Sequence, residues 1–599
     1  MRRTHAWLAL FLFTSVSWAA PDFRARPPED EIVYFVLPDR FENGDTGNDN
    51  GGLEGGRLTT GFDPTHKGFY HGGDLKGLTA RLDYIQGLGT TAIWLGPIYK
   101  NKPVQGGPGH ESAGYHGYWI TDFLSVDPHF GNDADMKAFV AAVHARGMKV
   151  YLDIITNHTA DVIQYRECMG VACPYRSKGD YPYSRKGGVQ GPAINAGFAG
   201  DGVRTAANFA QLTRDDFAYT PFVAPSEANV KVPAWLNSTI YYHNRGNSEW
   251  WGESSLFGDF FGLDDLLTEN PRVVQGFIDI FGEWIDRYAI DGFRIDTARH
   301  VNSEFWQSFA PAMLNRARTR GIPNFHIFGE VAAETVDVAQ LARHTRVDKL
   351  PSVLDFGFAR AVEKVLAGKE GTEVLARLYQ DDGLYEGGAQ AALRLPTFTG
   401  NHDIGRLAWM IRSARPGASD EEMLKRVMLS NAMLFLLRGV PVVYSGDEQG
   451  FVGHGIDQDA RQDLFASRVA SYNDQALLGT GTTTAVANFN PQHPLYAQIA
   501  GLAKLRQSNV ALRRGRQVVR AFGKTPGLFA ASRIGSDGRE IVVAFNTSME
   551  TAVTQIEVEP NSKVFKTLRG GCAAKASAPG SFRVEVPPLG FVVCEGMAP

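Results

Sequence analysis

Four short segments of this chain concentrate carboxylates, histidines and two arginines. They are Asp153-x-x-x-Asn157-His158, Gly292-Phe293-Arg294-Ile295-Asp296-Thr297-Ala298-Arg299-His300, Gly329-Glu330-Val331 and Gly400-Asn401-His402-Asp403. Clustered carboxylates suit the cleavage of an acetal. The departing oxygen needs a proton, and the cationic sugar carbon needs a negative neighbour. A retaining glycosidase meets both needs with two carboxyls about 5 Å apart. One of them must stay protonated near neutral pH, and burial beside another carboxylate raises a pKa in that direction. A third acid can stabilise charge and hold the partners' protonation states. Arg294 and Asp296 lie two residues apart on one extended run, so their side chains share a side. There Arg294 would keep Asp296 ionised, as a nucleophile requires. His158 and His402 can donate hydrogen bonds to sugar hydroxyls. Taken singly, each residue reads as a loop cap or a satisfied polar group. Together they read as a barrel enzyme with clustered acids, and by themselves they do not tell Asp296 from Asp403 as nucleophile.

Clustering requires elements that bring the segments together. Eight short β-rich apolar runs recur: 32–37, 92–96, 149–155, 292–296, 326–330, 352–356, 395–400 and 440–445. Amphipathic stretches separate most of them. Asp133 to Arg146, for example, places Met136, Phe139, Val140 and Val143 on one helical face. Alternating strands and helices predict an α/β fold, a (β/α)8 TIM barrel whose strand ends converge on one face. The acidic segments end the third, fourth, fifth and seventh runs. About a hundred residues, rich in Gly, Pro, Asn and aromatics, separate the third run from the fourth. A loop of that length is expected to be an inserted domain at the active-site face. From about Gln517 alternating strands punctuated by Gly, Asn and Asp predict a C-terminal antiparallel β-sandwich. The expected division is 1–19, a signal peptide; 20–157 and 266–516, the barrel; 158–265, the insertion; and 517–599, the β domain.

The bulk properties fit this plan. A chain of 599 residues suits one large domain with smaller ones attached. The formal charge of -5 argues against nucleic acid as a partner. Arg2 and Arg3, the apolar run Leu8 to Val16 and Ser17-Trp18-Ala19 read as a secretory signal. The run is too short for a membrane span, and no later stretch is long and apolar enough for one. A secreted or periplasmic enzyme acting as a monomer is expected. Export makes two local disulfides, Cys168 with Cys173 and Cys572 with Cys594, plausible. A zinc site is not expected, because no second Cys or His pair sits at ligand spacing.

The four acidic segments resemble, in order, spacing and strand position, the signature regions of glycoside hydrolase family 13, the α-amylase family. Gly262-Leu263-Asp264-Asp265-Leu266 resembles a further motif near the end of the family's inserted domain, with Leu267 where Asn is frequent. Tyr115-His116-Gly117-Tyr118-Trp119 resembles the segment whose second Tyr stacks on the sugar at the cleavage point. The resemblance spans roughly Ile32 to Gln449. It implies Asp296 as nucleophile, Glu330 as acid and then base, and Asp403 as supporting carboxylate. It implies that Tyr118, Trp119, His116, Asp153, His158, Arg294 and His402 line the cleavage point. Arg299 and His300 occupy a position that is usually Lys-His in α-1,4-active members. Arg keeps the charge and changes the hydrogen-bond geometry.

The resemblance also implies calcium. Asn43-Gly44-Asp45-Thr46-Gly47-Asn48-Asp49 followed by Tyr70-His71-Gly72-Gly73-Asp74 is similar to a calcium site of cyclodextrin glucanotransferases and related amylases. Its ligands would be Asn43, Asp45, Asn48, Asp49, Asp74 and the Gly72 carbonyl. A second calcium would use Asn157, Asp265 and the His300 carbonyl. Hard oxygen ligands suit this ion.

Three activities compete. The leading one is an endo-acting hydrolase of internal α-1,4-glucosidic bonds in starch, glycogen and maltooligosaccharides. The second is a cyclodextrin-forming, cyclodextrin-degrading or transglycosylating enzyme on the same scaffold, favoured by Arg438-Gly439-Val440-Pro441 and the first calcium-like loop. Val331 after Glu330, where that branch carries an aromatic, and a single C-terminal β domain stand against it. The third is a non-catalytic glucan-binding protein, which the presence of all three acids disfavours.

Overall fold

The computed structural model describes residues 22–169 and 173–597. The signal segment expected over 1–19 lies outside them. Seven parallel strands form the centre: β1 Val33–Val36, β2 Ala92–Leu95, β3 Lys149–Ile154, β4 Gly292–Ile295, β5 His326–Gly329, β6 Pro396–Thr397 and β7 Val440–Tyr444. Their order is β5-β4-β3-β2-β1-β7-β6. Every residue of these strands is buried, as parallel strands covered by helices must be. The sixth expected run forms no strand. Val353 makes a single parallel bridge to Gly329. Leu354 N–H donates to Gly329 O at 2.9 Å, and Asp355 N–H donates to Pro396 O at 2.9 Å. Those bonds close the barrel between β5 and β6. The run stops there because Asp355 caps the helix that begins at Phe356, accepting from Phe358 N–H.

The expected helix is Asp133–Ala145, and Met136, Phe139, Val140 and Val143 are its buried face. Asn132 and Asp135 cap it reciprocally. The long interval after β3 contains mostly loops, with short antiparallel ladders pairing 163–165 with 221–223 and 158–159 with 264–265. It carries its own small apolar cluster around Tyr183, Phe209 and Phe217. Beyond the helix Pro494–Ser508, seven antiparallel strands form a five-stranded and a two-stranded sheet. A separate core including Phe565, Phe582 and Val584 lies between them. Both expected disulfides are present, Cys168–Cys173 and Cys572–Cys594. Among the described residues, no helix is long and apolar enough to cross a membrane.

Candidate active site

Strand register brings the acids together. In the β4–β3 pair Arg294 lies opposite Asp153, and in the β4–β5 pair Ile295 lies opposite Gly329. Asp296 and Glu330 are therefore the next residues out of two adjacent strands. Arg294 is fully buried beneath them and serves three carboxylates at once. It lies 2.8 Å from Asp153 Oδ1, 2.9 Å from Asp296 Oδ1 and 2.9 Å from Glu330 Oε2. The expectation that Arg294 holds Asp296 ionised is thereby modified. Burial pushes Asp296 up to about 7, and the shared Arg294 offsets only part of that. Burial likewise pushes Glu330 up to about 7 and Asp153 up to about 6. One guanidinium facing three buried acids leaves the cluster short of cations, so it retains protons that isolated carboxylates release. Thr297 sits in the left-handed region at φ 48° and donates its N–H to Glu330 Oε2 at 3.0 Å. A threonine in that conformation is backbone strain of a kind concentrated at functional sites.

Around this cluster the other expected residues converge. The Tyr118 hydroxyl lies 3.1 Å from Asp153 Oδ2 and 2.8 Å from His402 Nε2. Its ring stacks on His402, while His116 stacks on Tyr118 and meets Trp119 edge-on. His402 Nε2 is 3.3 Å from Asp403 Oδ2. Burial depresses His158 to about 3 and holds His116 and His402 well below the ordinary range, so all three are neutral imidazoles. His158 Nε2 is buried with no hydrogen-bond partner among the described residues, an acceptor or donor left for a ligand. Arg299 donates to Ala332 O, and His300 Nδ1 pairs with Ser255 O.

Several contributors carry no sequence signal. Trp94 donates its indole N–H to Asp153 at 3.1 Å. Arg461, from the loop after β7, lies 3.0 Å from Asp403 and donates to His402 O. It follows no motif and reaches the site only through the fold. Trp250 and Phe261 pack at 4.5 Å between ring centroids beside His300. Both take positive φ, 68° and 54°, and Phe261 is 76% exposed. Aromatic faces held open at a cleft rim suit apolar sugar faces.

The oxygen-rich loop 43–49 packs against 72–74. Asp74 accepts N–H groups of Gly44, Asp45 and Gly77. Asn43 Oδ1 and Asn48 Oδ1 are buried without a hydrogen-bond partner among the described residues. A Cβ on Gly72 would meet Asn43 Nδ2 at 2.5 Å and Asp49 Oδ1 at 2.7 Å, so only glycine fits that wall. Unpaired amide oxygens beside Asp49 and Asp74 fit a hard cation. Asp45 instead turns outward to Lys76. At the second position Asn157 and Asp265 are neighbours, since Leu266 N–H donates to Asn157 O. There His243 lies 2.6 Å from Asp265 and 3.0 Å from Glu269. Burial alone would depress His243, but the two carboxylates push it up to about 9, so Asp265 already faces a cation. Among the described residues no three His, Cys, Asp or Glu side chains converge as a metal site.

A family model described as the alpha amylase catalytic domain matches residues 35–488. An alpha-amylase from Streptomyces lividans is 47% identical over 90% of this chain, which spans 58% of that protein's length. A cyclomaltodextrin glucanotransferase from Klebsiella oxytoca is 25% identical over 95% of this chain and 79% of its own. Among solved structures, an Anoxybacillus alpha-amylase matches with TM-score 0.68 at 25% identity, covering 96% of this chain and 99% of that one. The cyclomaltodextrin glucanotransferase CldA, with a three-domain ABC distribution, matches with TM-score 0.70 at 25% identity, covering 95% and 99%.

Proposed function

The chain belongs to the alpha-amylase family, and from that premise we propose that it hydrolyses internal α-1,4-glucosidic bonds of starch-like glucans with retention. The convergence of Asp153, Asp296 and Glu330 on the single guanidinium of Arg294, with Asp403 at the mouth, carries this reading. Glu330 gives its proton to the glycosidic oxygen as Asp296 bonds to the anomeric carbon and the leaving sugar departs. Glu330, now a carboxylate, takes a proton from water. That water attacks the anomeric carbon, displaces Asp296 and restores both groups. Asp403 and the neutral His158 and His402 hold sugar hydroxyls, Tyr118 stacks on the ring, and Arg299 and His300 face the departing side. The chain divides as 20–157 with 266–516 for the barrel, 158–265 for the inserted domain and 517–599 for the β domain. Two disulfides support an exported protein, and a monomer suffices because the site draws on one chain.

Calcium fits the loop 43–49 with Gly72 and Asp74, where the bound ion would neutralise Asp49 and Asp74 and lock the loop to the barrel. Asn157 and Asp265 can take a second ion only in competition with His243.

The 47% identity to an alpha-amylase favours hydrolysis over transfer. A second reading, cyclodextrin-forming or transglycosylating activity, rests on the three-domain glucanotransferase match. Incubation with soluble starch and separation of linear from cyclic products decides between them. Linear maltooligosaccharides are expected, and predominantly cyclic products reverse the order of the two readings. Glu330→Gln should lower turnover by about 10²–10⁴-fold with unchanged folding. Full activity in that variant would remove Glu330 from the role of acid.

A further inference from the structure

The barrel base meets the β domain across a group of buried arginines. Most of them are paired. Arg438 holds Asp355 and Asp382, Arg513 and Arg514 share Asp30, and Arg394 lies 3.4 Å from Glu29 Oε2. Arg506 and Arg533 are different. Both are fully buried, and among the described residues neither has a carboxylate within ion-pair distance. All their hydrogen bonds go to backbone carbonyls. Arg506 donates to Phe435, Leu512, Glu29 and Gly439, and Arg533 donates to Leu436 and Gly515. The two guanidiniums are neighbours, because Phe435 and Leu436 are consecutive carbonyls at the end of the helix Asp420–Leu436. Gln517 lies directly opposite Arg533 where the strands Arg516–Ala521 and Leu528–Ile534 pair.

Helix ends offset only part of this charge. A helix C-terminus carries about −0.5 elementary charge. The helix Asp420–Leu436 and the five-residue helix Val510–Arg514 together set at most about one unit against two guanidiniums. Arginine cannot shed its proton to escape the imbalance. Burial pulls Arg506 down to about 9, and the nearby Arg533 and Arg513 add to that. Burial pulls Arg533 down to about 10, with Tyr379 offsetting a part and Arg438 adding to it. Burial acts on Arg438 as well, but Asp382 and Asp355 reverse it and hold Arg438 well above its ordinary range. Four nitrogens at this junction are buried with no hydrogen-bond partner among the described residues: the Nε atoms of Arg506, Arg513 and Arg533, and Nε2 of Gln517. The Gln517 oxygen accepts the Arg438 N–H at 2.8 Å, which leaves the amide nitrogen as the free end.

We propose that a small monovalent anion of the halide class binds at this junction, with Arg506, Arg533 and the Gln517 amide as its donors. Free donors beside about one unit of uncompensated positive charge match one such ion. Water would satisfy the donors and leave the buried charge unmet. A bound anion would join the end of the helix Asp420–Leu436 to the first two strands of the β domain.

Thermal melts in sodium chloride and in sodium methanesulfonate, at equal ionic strength and fixed calcium, test the site. Chloride should raise the midpoint by about 2–4 °C, and the rise should saturate. Gln517→Glu keeps the oxygen that accepts from Arg438 and adds a built-in negative charge. That variant should melt above the parent in methanesulfonate and ignore chloride, with kcat/KM on starch unchanged. In crystals grown with bromide, anomalous scattering should place the ion beside Arg506 and Arg533. Equal midpoints in the two salts, water alone at these donors, or a full chloride response in Gln517→Glu would each overturn the proposal. Should Gln517→Glu fail to fold, the bromide position in the unmodified chain decides.

Discussion

The protonation of the acids above Arg294 has a consequence for stability as well as for chemistry. Asp296 and Glu330 titrate near 7 in the folded chain, against ordinary values of 3.8 and 4.5. Between those limits the folded state binds more protons than the unfolded one, so stability falls as pH rises through the folded values. The contribution is fully present below about pH 4 and lost above about pH 7. Asp296→Asn removes one ionisation. It is expected to melt several degrees above the parent at pH 8 and to lose that advantage at pH 4. Thermal melts at the two pH values check this; an offset independent of pH would mean that Asp296 is not forced to ionise in the folded chain. The same arrangement explains what residue spacing could and could not reveal. The shared side of Arg294 and Asp296 followed from strand geometry. That Arg294 also serves Asp153 and Glu330 depends on neighbouring strands, and so did the upward shift of Asp296.

At the scale of elements, the barrel base is tied by a buried cation. Arg438, just before β7, pairs with Asp355 at the cap of the helix Phe356–Leu366 and with Asp382, and its N–H donates to Gln517. It therefore fixes the strand, the closing segment of the barrel and the first strand of the β domain to one another. Arg438→Met keeps the apolar stem and strands two buried carboxylates. It should cost about 3–5 kcal/mol, read as a lowered denaturation midpoint with unchanged slope. A cost below 1 kcal/mol would show that water reaches Asp355 and Asp382 in compensation. The seven strands, the helix from Asp133 and the final β strands were legible as periodicity. The sixth expected run, 352–356, forms no strand. It matched the apolar pattern, but the cap at Asp355 and the sharp start of a helix left room for a single bridge.

For the whole molecule, the calcium-like loop is the test of long-range organisation. Loop 43–49 comes between β1 and β2 and closes on Gly72 and Asp74, so an ion there would staple a long excursion to the barrel. Chelation with excess EGTA should lower the melting temperature and added calcium restore it. Asn48→Ala should blunt the response. Melting that ignores chelator would exclude a stabilising ion at this loop. The segments that bear Asp153, Asp296, Glu330 and Asp403, their order and their strand-end positions were determined by local sequence, because period, turn residues and acid type are local properties. The likeness to the alpha-amylase family was legible for the same reason. Which acids share one guanidinium, which loop brings Arg461 to Asp403, and how His243 faces Asp265 were decided only by tertiary structure. Those contacts join residues tens to hundreds of positions apart, and their energies depend on burial, which no local pattern of side chains encodes.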